Sequence, residues 1–209
     1  MATSSLTKLT VPLASDQSTS AQGLLMPKLK FRFRVTFLGF GVEKTNNVEL
    51  TKQVMDFTRP QVTFENIDLP IYNSTVRLAG KHSWQDITCQ VRDDAGGNVS
   101  RLVGEQLQKQ LDFLEQSSAA AGIDYKFTTV FEVLDGGNGA NTPVALETWT
   151  VLGCYLQAVN YNDANYGSNE PMTVSMTIRY DNALQTIDGA SAIGVGSPVP
   201  RETGDVATG

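Results

Sequence analysis

The chain has 209 residues, 41% apolar and 18% charged, with a formal net charge of −6. That is enough for one domain with a core, and the acidic balance argues against a protein that grips nucleic acid by its phosphates. No apolar run approaches the roughly 18 residues of a membrane span, and the N-terminus has no leader pattern. The chain is therefore expected to be made and kept in a cytoplasm until assembly. Its charge lies below the usual quarter or so of residues, which predicts a surface that is neutral polar or covered by a partner.

Residues 1–27, rich in Ser, Thr and Gln, hold no sustained period and read as an N-terminal arm. Residues 185–209 read as a C-terminal tail, and 28–184 as a compact β domain. The domain opens on an alternating run: Leu29, Phe31, Phe33, Val35 and Phe37 against Lys28, Lys30, Arg32, Arg34 and Thr36. Period two predicts a strand with one apolar and one basic face. Glu43–Asn47 reads as a loop, 50–57 as extended, and Val62–Ile67 with Thr75–Leu78 as a long hairpin bent around Pro70–Asn73. Ile87, Cys89 and Val91 alternate with polar residues in a further strand.

A helix is predicted over about 99–116, with Asn98 as its N-cap. Tyr125–Val133 reads as a strand, Asp135–Asn141 as a hairpin loop, 146–159 as a strand buried on both faces, and Met172–Tyr180 as a strand with one buried face. About seven strands and one helix, joined by short connections, predict an antiparallel β-sandwich or barrel with one packed helix.

No catalytic set emerges. His82 is the single histidine, and its setting reads as a polar turn before a strand, so neither a His pair nor a supported triad is available. Cys89 and Cys154 read as two buried thiols, and with one histidine they make no zinc set. Asp93–Asp94 reads as a solvated turn. The Asn160–Glu170 segment misses the spacing of a calcium loop and reads as a polar hairpin. The Asp135–Gly139 run lacks the Lys-Ser/Thr and the helix start of a phosphate loop. No enzyme, cofactor or metal is expected. Lys28, Lys30, Arg32 and Arg34 admit three readings: a charged edge strand, a surface meeting acidic residues of the same or a neighbouring subunit, or a phosphate contact. The acidic chain ranks the interface first.

Residues about 28–181 resemble the tail tube proteins of contractile-tailed bacteriophages, which are related to secretion-system and other phage tail tubes. The resemblance runs through Leu29-Lys30-Phe31-Arg32-Phe33-Arg34-Val35, Thr58-Arg59-Pro60-Gln61-Val62, Leu78-Ala79-Gly80-Lys81-His82-Ser83-Trp84-Gln85-Asp86, Gly153-Cys154-Tyr155-Leu156 and Val174-Ser175-Met176-Thr177-Ile178-Arg179-Tyr180-Asp181. Each motif is short, so the order of elements carries the likeness.

The resemblance implies a hexameric ring with a continuous inner β-barrel, stacked into a tube. It also implies a surrounding sheath, a tape-measure protein inside, baseplate and tail-terminator proteins at the ends, and DNA that passes through without specific binding. The expected setting is a virion. A barrel closed across subunits would remove exposed sheet edges. Lys28, Lys30, Arg32, Arg34, Pro70 and Asn73 are the candidate subunit interface. Two polar strand faces are candidates for the channel lining: Thr63 and Glu65 with Asn73 and Thr75 across the hairpin, or Thr173, Ser175 and Thr177. The alternatives are the tube of a non-contractile tail or secretion system and, in another class, a monomeric carbohydrate- or calcium-binding β-sandwich.

Overall fold

The computed structural model describes residues 27–42, 48–136, 143–187 and 190–193. The chain divides into two units, Met1–Arg32 and Phe33–Gly209. In the first, residues 27–32 form a turn in which the Arg32 N–H donates to the Leu29 carbonyl at 3.2 Å, and the Arg32 guanidinium lies 5.6 Å from the centre of the Phe31 ring. Of the predicted N-terminal arm, residues 1–26 lie outside the described residues, as do Glu43–Asn47, 137–141 of the Asp135–Asn141 loop, and 188–189 and 194–209 of the predicted C-terminal tail.

The second unit is mainly β. Its elements are β1 (Phe33–Leu38), α1 (Val48–Gln53), β2 (Val54–Phe57), β3 (Val62–Ile71), β4 (Ser74–Trp84), β5 (Ile87–Arg92), α2 (Asn98–Gln110), β6 (Leu111–Asp112), β7 (Ser117–Ser118), α3 (Gly122–Tyr125), β8 (Phe127–Leu134), β9 (Ala145–Asn160), β10 (Thr173–Arg179), β11 (Asn182–Ile187) and β12 (Ala190–Ile193). Every strand pairing among the described residues is antiparallel.

The main sheet runs β1-β8-β9-β10-β5-β2, with β11 on β9 and β12 on β11. The sixteen-residue β9 is the spine: its first half pairs with β8 and β11, its second half with β10. Along that first half Glu147, Trp149 and Val151 are buried, whereas beyond Gly153 the buried positions are Cys154 and Leu156. The switch from odd to even falls at Gly153, whose φ is +69°. An irregular residue in a strand reverses which side chains face the core. The strand therefore has one core face that changes parity, and not the two buried faces expected from its unbroken apolar run.

The core joins Val35 and Phe37 of β1, Ile87, Cys89 and Val91 of β5, Phe127 and Phe131 of β8, and Val174, Met176 and Ile178 of β10. Phe57 of β2 stacks on Phe131 of β8, with centroids 5.2 Å apart and planes 11° apart. The strand order places β2 and β8 far apart, so the sheet folds over and its two wings share one core. Both cysteines are free and buried, as the sequence predicts.

α2 closes this core with Val99, Leu102 and Val103. Its start is capped by Asp94, whose Oδ1 accepts the Val99 N–H at 3.0 Å and whose Oδ2 accepts from Asn98 Nδ2 at 2.8 Å. Asn98 is thus the first helical residue and not the cap; Gly97, with φ +68°, holds the cap position. The helix stops at Gln110, short of the predicted 116. Leu111 turns extended, and Leu114 lies in the exposed turn between β6 and β7.

Other boundaries differ too. β1 begins at Phe33, opposite Val133 of β8, and residues 30 and 31 lie in a turn. The predicted strand over 28–37 is therefore strand only from Phe33. Residues 50–53 are helical, because α1 places Leu50 in the core. Tyr125 belongs to α3 and not to the following strand. β11 pairs with β9 along its whole length and carries ordered strand across the 185 boundary of the predicted tail. The helices and minor ladders raise the tally to twelve strands and three helices among the described residues.

Candidate assembly surfaces

The hairpin β3–β4 forms a two-stranded sheet apart from the main one. The turn is tight: Ile71 pairs with Ser74 across Tyr72–Asn73, with Tyr72 at φ +44°. Pro70 therefore sits in the strand, opposite Thr75, and Asn73 in the turn. His82 likewise lies within β4, opposite Phe64 and 6.2 Å from Trp84, and not in a polar turn.

The register sorts the hairpin into two faces. One carries Asn66, Asp68, Pro70, Thr75 and Arg77, with Arg77 Nε 3.6 Å from Asp68 Oδ1. The other carries Ile67, Leu69 and Ile71 with Val76 and Leu78. All five aliphatics are between 42% and 54% exposed. They form a row of aliphatic side chains that stays about half open to solvent among the described residues.

This register corrects one expectation. Thr63 and Glu65 share a side with the aliphatic row, whereas Thr75 faces the other way with Pro70. Thr63, Glu65, Asn73 and Thr75 therefore do not make one polar face. The alternation of β3 is polar only at its root; its distal half reverses the pattern.

The second polar set holds together. Thr173, Ser175 and Thr177 point away from the core residues Val174, Met176 and Ile178. Their partners Arg92, Gln90 and Thr88 on β5, and Asn160 and Ala158 on β9, continue the same side. Hydrogen bonds knit it: Gln90 Nε2 donates to Ser175 Oγ at 3.4 Å, and Asn162 Nδ2 to Thr173 Oγ1 at 2.7 Å. The result is a sheet face of hydroxyls and amides, with Arg92 and Asp56 at its margins.

Of the basic residues predicted to act together, Arg34 alone lies on a strand. Its Nε donates to Glu132 Oε2 of β8 at 2.6 Å, and that bond raises its pKa further. Lys28, Lys30 and Arg32 precede the strand. Asp93 and Asp94 serve α2: Asp93 Oδ2 accepts from Ser100 Oγ at 2.8 Å, and backbone and side-chain donors hold the Asp94 carboxyl below the usual range. In the Asn160–Glu170 segment, Asn160 Oδ1 accepts the Asn162 N–H and Asn165 Oδ1 the Gly167 N–H, which are local turn bonds. No group of three or more His, Cys, Asp or Glu suited to a metal occurs among the described residues, and no described helix is long and apolar enough to cross a membrane.

Sequence reasoning missed three groups that fix these surfaces. Buried Gln106 accepts the Gly41 N–H through Oε1 at 3.0 Å and donates to the Tyr125 carbonyl at 2.7 Å. Gln110 completes the edge of β9, donating to the Leu156 carbonyl and accepting the Leu156 N–H, both at 2.9 Å. Glu147 is buried, with Arg59 of the segment before β3 3.9 Å from its Oε1. Two glutamines and a glutamate in polar-looking positions carry no sequence signal that separates them from surface residues.

No family model and no curated protein matches the sequence. The fold does match solved structures. It is similar to a chain of the tube-terminating cap of the anti-feeding prophage, with a TM-score of 0.58 and 15% identity over 84% of this chain and 99% of that one. It is also similar to a chain of the anti-feeding prophage baseplate, at 0.57 and 16% over 78% and 97%. A third likeness is to a chain of the extended sheath–tube complex of an extracellular contractile injection system, at 0.54 and 16% over 82% and 99%. The chain therefore has the fold found in components of contractile injection systems, which agrees with the resemblance read from its residues.

Proposed function

We propose that the chain is the repeating structural subunit of a hollow tail tube, six copies to a ring, the rings stacked into a conduit inside a contractile sheath. The observation that carries this reading is the hairpin β3–β4, whose aliphatic face stays about half exposed among the described residues. A monomer gains nothing from such a face; a subunit that meets its neighbours through Ile67, Leu69, Ile71, Val76 and Leu78 does. The tip, Pro70 and Asn73, then reaches an adjacent ring. β1 pairs only with β8, and β2 only with β5, among the described residues. These open edges suit strand pairing across subunits, which would close the barrel.

The polar face of Thr173, Ser175 and Thr177 lines the channel in this proposal, with Thr88 and Gln90 beside it. Hydroxyls and amides without a run of Lys or Arg let DNA slide, since each neutralised phosphate adds affinity by counterion release. The tape-measure protein, sheath, baseplate and tail-terminator proteins are the partners that such a tube requires, and the virion is its setting. Sedimentation of the purified protein tests the reading: rings or long polymers support it, and a monomer at every concentration removes it. A sheath gene beside this one would separate a contractile tail from a non-contractile or secretion tube.

A further inference from the structure

Glu147, in the first half of β9, is 4% exposed. A carboxylate this deep is costly to desolvate unless donors surround it. Two hydrogen bonds and one ion pair from three parts of the chain converge on its Oε1: the Trp149 indole N–H donates at 2.6 Å and Gln185 Nε2 at 2.9 Å, and the Arg59 guanidinium lies 3.9 Å away. Trp149 lies on the same strand. Gln185 belongs to β11, which leads into the C-terminal segment, and Arg59 belongs to the link 58–61 at the root of the hairpin.

The link is short and stiff. Its ends are held by backbone bonds of 2.9 Å, from the Thr58 N–H to the Thr88 carbonyl and from the Gln85 N–H to the Gln61 carbonyl. Between them, Pro60 fixes its own φ and confines Arg59 to extended backbone. A restraint on the Arg59 side chain is therefore passed to the strand that follows. The Arg59 side chain is itself 62% exposed, so its partner, and not burial, sets its place.

We infer that Glu147 is a positioning residue for assembly: it fixes the direction in which the β3–β4 hairpin leaves the domain and ties that direction to the seat of β11. This inference rests on the reading of the hairpin as the element that meets a neighbouring copy. Removing the charge at either end loosens the hairpin root, which the two backbone bonds of the link still hold, while the strand ladders stay intact.

The test uses spin labels at Asn73→Cys, in the hairpin turn, and Thr88→Cys, exposed on β5; Cys89 and Cys154 are buried and stay unlabelled. Distance distributions are measured on dilute protein for wild type, Arg59→Gln, Glu147→Gln and the double variant. The critical concentration for polymerisation and the melting temperature are measured on the unlabelled proteins. Both single variants should broaden the distance distribution and raise the critical concentration about fivefold, at an almost unchanged melting temperature for Arg59→Gln. The double variant should be no worse than the worse single one. An unchanged distribution in Arg59→Gln, or effects that add in the double variant, would overturn the inference. If Glu147→Gln does not fold, Arg59→Gln decides alone by the same readouts. If the wild type does not polymerise, the tube reading falls, while the distances on the single subunit still decide the anchor.

Discussion

The Asp181 carboxylate stands where a Cβ on Gly153 would have to be. Gly153 is the residue at which β9 changes parity, with φ +69°. Asp181 follows β10, donates its backbone N–H to the Leu152 carbonyl at 3.1 Å, and takes a 2.6 Å bond from Lys126 Nζ. The missing side chain at one position thus makes room for the ion pair that joins β10 to the start of β8.

Gly153→Ala should therefore destabilise the domain by about 2–4 kcal/mol, from a strained positive φ together with a steric clash. Urea unfolding followed by circular dichroism measures it. Asp181→Ala in the same background should return part of the loss, because the two residues share one space. Strictly additive effects would contradict the account.

Gln106→Leu should cost about 2–4 kcal/mol. Leucine fills the volume but leaves the Gly41 N–H and the Tyr125 carbonyl without partners in a buried site. Thermal unfolding at constant pH tests this, and a change below about 0.5 kcal/mol would show that water replaces the amide.

Burial pushes the Cys89 thiol up to about 12, Cys154 up to about 11 and Tyr180 up to about 12. All three are acids whose folded pKa lies above the unfolded value. Their contribution to stability is full below the unfolded pKa and is lost as pH rises toward the folded one. Urea midpoints should fall steadily from about pH 9 to about pH 12, and Cys89→Ala should flatten that slope. At pH 8 a maleimide should label neither thiol until the protein unfolds.

Leu69→Lys should leave the fold intact and abolish polymerisation. Leu69 is 44% exposed and touches no core, so the substitution should change subunit stability by less than about 0.5 kcal/mol. Light scattering reads assembly and circular dichroism reads the fold. Polymers of wild-type length would show that the aliphatic face is not the contact.

Particular residues show what was legible in the sequence. Ile87, Cys89 and Val91, and Val174, Met176 and Ile178, alternate cleanly because each strand has one face on the core and one outside. The same period misled at 28–32, where Lys, Leu and Phe alternate in a stretch that turns back on itself, the Arg32 N–H bonding to the Leu29 carbonyl. It also hid the hairpin's character: alternation reports that two faces differ, not which of them the fold covers. Val48–Gln53 is helical because tertiary packing places Leu50 in the core, which local pattern does not encode. The polar set on β10 was legible as a face; its extension across Thr88, Gln90, Ala158 and Asn160 depends on register, and no single strand records that. Arg34 was legible as paired to an acid, but Glu132 lies 98 residues away.

The central claim is that the chain closes into rings and stacks through its hairpin. Negative-stain electron microscopy of the purified full-length protein, wild type beside Leu69→Lys, tests it most directly. The account predicts hollow tubes or stacked rings with six-fold end views for the wild type, and single subunits for the variant. Isolated subunits in both samples at every concentration, or identical tubes in both, would contradict it.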